Sequence, residues 1–306
     1  MHTIRRQALE IVAMYLLLTI GSPCLADEPD LYWVSSGLNN RDLTISPEGD
    51  LLFTTIMAPG NQFSVIAMSR KIRGKWQELE IAPFSGVFPD IEPMFDPTGR
   101  KLFFSSRRPT EGRSGNDWDI WMTSKTAEGW SKPRNLGEPI NSAGNEFYPS
   151  VAESGNLYFT TERAGGAGAE DIWQAVYLDG KPSVAPLGKG VNTEHYEFNA
   201  FVPPDERYII FSSQGRQGEI GRGDLYISRK DESGEFTKAQ LLPGTINSAD
   251  LDYCPFVHRG RLYFSSRRVR DPGIIRDYRQ LSQWLESPGN GMGDIYSVSI
   301  DLEDQQ

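Results

Sequence analysis

The feature that most constrains this chain is an internal repeat of about 50 residues. One pattern recurs as LTISPEG from Leu43, PMFDPTG from Pro93, PSVAESG from Pro149, AFVPPDE from Ala200 and PFVHRG from Pro255, at spacings of 50, 56, 51 and 55 residues. A second run follows each in step: LLFTT, KLFFSSRR, NLYFTTER, YIIFSS and RLYFSSRR. A third opens on an aspartate in four repeats, as DIWM at Asp119, DIWQ at Asp171, DLYI at Asp224 and DIYS at Asp294, with the degenerate SVIA from Ser64 in the first. Each run has strand length, is rich in aromatic and β-branched residues, and is bounded by Gly, Asn, Ser or Pro.

A unit of four short antiparallel strands cannot bury both of its faces alone, so neighbouring units must stack. Radial closure does this and also protects the sheet edges. The expected fold is therefore all-β: a five-bladed β-propeller of four-stranded antiparallel blades, beginning near residues 41, 90, 146, 197 and 252. The last repeat stops after its third strand at Ile300. Residues 33–40, WVSSGLNN, match PRNLGEPINS, APLGKGVNT and LLPGTINS, which stand just before first strands. An N-terminal strand is expected to complete the last blade and close the ring.

Residues 1–26 carry Arg5 and Arg6, an apolar run over 11–20 and small residues before Asp27. That pattern predicts a cleaved secretory signal peptide, the apolar run being about half of the ~20 residues a membrane span needs. Cleavage would take the net charge from −10 to −11 and remove Cys24, leaving Cys254 as a lone thiol in an apolar strand. The expectation is a single propeller domain over residues 27–306, periplasmic or secreted, monomeric and not embedded in a membrane. Its acidic balance disfavours nucleic acid and anionic lipid as partners.

The segments SPEGDLLFTT, DPTGRKLFFSSRR, ESGNLYFTTER with GAEDIW, and RGRLYFSSRR with GDIY resemble the WD-like propeller repeat of TolB-like periplasmic proteins. The resemblance covers nearly all of the chain after Asp30. It implies the propeller fold and a place in the bacterial cell envelope, and says little about function, because propellers host binding, scaffolding and hydrolysis alike.

An acid stands just before or at each first strand: Asp90, Glu146, Glu197 and Asp252, with Asn40 and Asp42 in the first blade. First strands line a propeller's axis, so these groups are expected to gather at one channel mouth, where like charges raise pKa values. The predicted ligand-binding set is Asp42, Asp90, Glu146, Tyr148, His195, Glu197, Asp252 and Tyr253, with Tyr196 as a further aromatic neighbour. An alternative role for the same acids is to hold backbone N–H groups of the next blade. The aspartates opening the third strands, the arginines ending the second (Arg107, Arg108, Arg163, Arg267, Arg268), and Asn141, Asn192 and Asn247 read as turn-stabilising residues.

Residues 269–292 interrupt the last repeat and place Ile275, Tyr278, Leu281, Trp284 and Leu285 at helical spacing, predicting a short amphipathic helix that caps or lids one face. No cofactor is expected. With only His195 and His258 beyond residue 26, a three-histidine metal site is excluded, and the metal expectation is none. The reading is a non-enzymatic binding module for a protein, a peptide or an envelope glycan. The alternative is a five-bladed glycoside hydrolase with Asp90, Glu146, Glu197 and Asp252 as its carboxylates.

Overall fold

The computed structural model describes residues 27–302 except 113, 243 and 244. Residues 1–26, where the signal peptide is expected, lie outside the described residues. Five antiparallel sheets form five blades around one axis. The first strands are Asn39–Ile45, Asp90–Phe95, Glu146–Val151, Tyr196–Phe201 and Asp252–His258. The second are Leu51–Met57, Lys101–Ser106, Leu157–Thr161, Tyr208–Gln214 and Arg261–Ser266. Second strands are sandwiched on both faces, which is why their apolar runs are continuous and not alternating. Phe53, Phe104, Phe159, Phe211 and Phe264 are all buried there.

The ring closes with strands from both ends. Asp30–Leu31 pairs with Tyr296 and Ser297 of Asp294–Ser299, and the Tyr32 ring meets Tyr263 edge-on at 5.1 Å. This corrects the position of the closing strand, which precedes residues 33–40. That segment is instead the turn into blade 1 and the first two residues of its first strand, and it keeps the repeat's hydrogen bonds.

In three blades an asparagine before the next first strand clamps the third strand from the side. Asn141 accepts from Ile120 N at 2.8 Å and donates to Ile120 O at 3.0 Å. Asn192 does the same to Ile172 and Asn247 to Leu225. At the closure Ser35 takes this place, accepting from Ile295 N at 2.9 Å and donating to Ile295 O at 3.1 Å.

The insertion contains the helix α1, Tyr278–Leu285, capped by Asp277, whose carboxylate accepts from Gln280 N at 2.8 Å. It starts later than the apolar spacing suggests because the cap lies within that pattern. Its end rests on the closure turn: a Cβ on Gly37 would sit 2.2 Å from Glu286 O. Tyr278, Leu281 and Leu285 are exposed.

Ser35→Ala is expected to strand a buried N–H and lower stability by about 1–3 kcal/mol. Asn192→Ala, which also removes a bond to Leu187 O, should cost more. Denaturant melts of the two variants check the order.

Candidate functional site

Every first strand carries a β-bulge at the same place. Its register against the second strand shifts between Arg41 and Leu43, Ile91 and Met94, Phe147 and Ser150, Phe198 and Phe201, and Tyr253 and Phe256. In each bulge one non-glycine residue takes left-handed backbone: Asp42 (φ 55°), Glu92 (φ 60°), Tyr148 (φ 48°), Asn199 (φ 51°) and Cys254 (φ 55°). Such conformations are uncommon for non-glycine residues and cluster where a side chain must be re-aimed. Here they turn one side chain per blade toward the axis.

These five residues meet in a network centred on Glu92. Its carboxylate accepts from Tyr148 N at 2.7 Å, Arg41 Nη2 at 2.8 Å, Ser105 Oγ at 3.0 Å and Asn199 Nδ2 at 3.3 Å. Arg41 Nε donates to Asp42 at 2.9 Å, and Glu92 N donates to Asp42 at 3.1 Å. Arg41 Nη2 reaches Cys254 Sγ at 3.5 Å, and Tyr148 Oη donates to Pro255 O at 2.9 Å. All five blades are thus joined at the axis, and the channel is plugged there.

Burial dominates the protonation of this plug. It raises Glu92 to about 7 against the pull of Arg41, with Asp42 adding repulsion. Burial opposes the charge on Arg41, yet Asp42, Cys254, Tyr253 and Glu92 hold its pKa well above the ordinary value. Cys254 and Tyr148 are pushed far up by burial, so neither a thiolate nor a phenolate forms.

Above the plug, at the end where first strands begin, lies a cavity of about 220 Å³ to which every blade contributes. Glu92, Asn199 and Arg41 supply polar groups, Phe147 and Phe198 supply apolar faces, and Glu170 and Arg267 stand at the sides. Burial and the neighbouring Glu162 raise Glu170 to about 7. Arg267 lies over the Tyr253 ring at 6.0 Å.

Of the predicted ligand-binding residues, Tyr253 lines this cavity, and Asp42 and Tyr148 belong to the plug beneath it; Arg267, read from the sequence as a turn residue, lines the cavity as well. Asp90, Glu146, Glu197 and Asp252 are not brought together. Each is fully buried within its own blade's turn, bonded to an arginine that follows the second strand: Arg108 at 2.7 Å, Arg163 at 2.8 Å, Arg216 at 2.9 Å and Arg268 at 2.9 Å. Hydroxyls complete the set, as with Ser85 and Ser106 on Asp90, or Thr193 and Ser213 on Glu197. The arginines in turn lie over Phe104, Phe159, Phe211 and Phe264 at 5.0–5.3 Å. Blade 1 has Ala58 where the others have arginine, and the acid is replaced by the neutral Asn40, which accepts from Ser36 N and Oγ.

His195 faces a separate cleft with Lys189 and Lys238, and Tyr196 is about half exposed. The third-strand aspartates hold loop N–H groups, as Asp171 does with Gly168 N and Asp294 with Gly289 N. Among the described residues no group of three or more His, Cys, Asp or Glu side chains could hold a metal ion. Among them, too, no helix is long and apolar enough to cross a membrane.

No family model matches the sequence, and the comparison with curated proteins finds no match. Solved structures do match. A glycoside hydrolase superposes with a TM-score of 0.54 at 10% identity over 92% of each chain. A BT0996 RGII complex gives 0.52 at 10% identity, again over 92% of each chain. TolB from Acinetobacter baumannii gives 0.48 at 11% identity over 86% of this chain, which spans 55% of that protein. The first two likenesses establish the shared propeller fold.

Two outcomes are expected. Glu197→Ala leaves Arg216 buried without its partner and should cost about 3–5 kcal/mol in denaturant unfolding. Glu92 has an ordinary value of 4.5 and a folded value of about 7. The native chain therefore keeps a proton there that the unfolded chain releases. The resulting stabilisation is complete below pH 4.5 and is lost as pH rises through 7. Melting profiles of the parent and Glu92→Gln should accordingly diverge over that window, the parent losing more stability with rising pH.

Proposed function

We propose that the protein is a non-enzymatic binding propeller of the cell envelope that receives a hydroxyl-rich ligand, one sugar unit of a glycan, in the upper mouth of its channel. The observation that carries this reading is the axial cavity itself. It sets carboxyl groups, an amide and guanidinium groups beside the Phe147 and Phe198 rings. Hydroxyls need such acceptors and donors, while the C–H face of a sugar needs an apolar surface. At about 220 Å³ the cavity is smaller than the roughly 300–1,000 Å³ of drug-sized sites, which suits a single ring. A protein or peptide partner finds less support, because the polar groups sit inside a narrow well.

A second reading, glycoside hydrolysis, is favoured by one observation: Glu92 and Glu170 share the cavity, and both have pKa values near 7. Paired carboxyl groups of that kind perform acid/base chemistry on glycosidic bonds, and one of the solved structures with this fold is a glycoside hydrolase. The geometry of Glu92 weighs against it. Four donors already occupy its oxygens, and the side chain is 3% exposed. A carboxylate so held orients a neighbour more readily than it cycles a proton.

Calorimetric titration with a panel of envelope oligosaccharides tests the proposal, together with an assay for released reducing ends. A sugar is expected to bind the parent and to bind Glu170→Gln about tenfold more weakly, with no release. Reducing ends released by the parent but not by Glu170→Gln would replace binding with hydrolysis. Absence of binding by every sugar would overturn both readings.

A further inference from the structure

The opposite end of the channel is a second well of different character. It has a volume of about 220 Å³ and is built from all five blades where the first strands end, with Met94, Val151, Phe201, Phe256 and Val257 around it and Pro47, Pro97 and Pro204 in its wall. The axial plug closes it from above, since Tyr148 Oη is bonded to Pro255 O and Thr44 Oγ1 to Met94 Sδ at 3.7 Å. The two mouths are separate wells back to back.

This lower well opens sideways. Ile45, His258 and Arg259 line both it and an adjoining cleft of about 190 Å³, which also contains Lys71, Arg261, Trp76 and Tyr263. Three cations therefore converge beside an apolar cavity on a chain of net charge −10. Among the described residues none of the three is paired with a carboxylate. Arg259 donates to Pro47 O and Glu48 O, Arg261 donates to Ser297 and Ser299 hydroxyls, and Lys71 lies over the Trp76 ring at 5.3 Å. The acid that lines the well, Asp96, is occupied by Thr98 Oγ1, Arg100 N and Lys101 N. His258 reports the same field: burial, then Arg259 and Lys71, lower its pKa. Its ring is stacked on Phe256 at 6.2 Å and 13°, joining the apolar well to the cationic cleft.

We infer that the lower mouth binds an amphipathic carboxylate, with its apolar body seated among Phe201, Phe256 and Met94 and its carboxylate held by Lys71, Arg259 and Arg261. The well excludes water from the apolar body and so supplies affinity. The cations select the charge, and their attraction is screened by salt. A carboxylate of this kind can be a free acid or the C-terminus of a chain ending in a large apolar residue.

The probe is 2-naphthoate, titrated by calorimetry against the intact protein, with 2-naphthylmethanol as the neutral counterpart. The expected result is saturable binding of the acid, about tenfold weaker binding of the alcohol, and loss of the acid's advantage at high salt. Val257→Trp, which fills the well, and Lys71→Glu, which alters an exposed side chain, should each weaken 2-naphthoate about tenfold or more. Glu170→Gln at the other mouth should leave it unchanged, so this test stands apart from the fate of the glycan reading. An acetylated peptide ending in phenylalanine, as free acid and as amide, separates the sources. With 2-naphthoate bound, binding of the peptide acid and not of its amide assigns the site to chain termini, and failure of the peptide acid assigns it to free acids. No binding of 2-naphthoate, or equal binding by parent, Val257→Trp and Lys71→Glu, would overturn the inference.

Discussion

The interaction on which the rest depends is the buried pair of acid and arginine repeated at the top of four blades. Taking both charges out of water is costly, and it is offset here only because each carboxylate also accepts from hydroxyls and each guanidinium lies on an aromatic ring. Asp90 with Arg108 and Phe104 is the pattern: 2.7 Å between the charges, Ser85 and Ser106 on the carboxylate, the ring beneath the cation. Burial still pushes the Asp90 carboxyl upward in spite of Arg108. The unit ties the turn before a first strand to the loop after the second, so it fixes where each first strand enters. Blade 1 supports this account. Lacking the arginine, it also lacks the acid, and Asn40 fills the place with a neutral side chain.

With entry points fixed, the bulge two residues further on decides what reaches the axis. The five bulge residues differ in chemistry, as aspartate, glutamate, tyrosine, asparagine and cysteine, although the strands around them repeat. Scaffold positions keep their residue type from blade to blade, and the axial position does not. The two positions differ within one strand: Glu146 holds its blade together, whereas Tyr148 reaches across the channel to Pro255.

Much of the fold was legible because the repeat carries it. The blade count, the closure by strands from both ends and the helix in residues 269–292 all follow from spacing alone. The closing strand lies at Asp30–Leu31 and not within residues 33–40, because the repeats share the turn after the fourth strand more closely than the two-residue strand itself. Ser35 and Ser36 preserve that turn's bonds, which is why the match was strong and its meaning shifted. The cavity was less legible. Repetition drew attention to Asp90, Glu146, Glu197 and Asp252, yet recurrence in every blade is what a scaffold requires. The signal for Glu92 and Asn199 was the opposite one, a change of residue type at a fixed offset, and the same holds for Glu170, which stands directly before the third-strand aspartate where other blades have Trp118, Gly223 and Gly293.

The plug also explains how one propeller can present two unlike surfaces on a single axis. A continuous water-filled channel would give both ends the same solvent and a shared electrostatic environment. Arg41, Asp42, Glu92 and Asn199 instead close the upper half with hydrogen bonds, while Tyr148 and Met94 close the lower half with apolar surface. Charge follows the same division. Glu92 and Glu170 line the upper well, and Lys71, Arg259 and Arg261 gather at the side of the lower one. Because a first strand runs from one mouth to the other within six or seven residues, each blade contributes to both wells with different side chains of the same strand. Tyr253 faces the upper cavity and Phe256 the lower, and the bulge between them, at Cys254, is what allows a single strand to serve both.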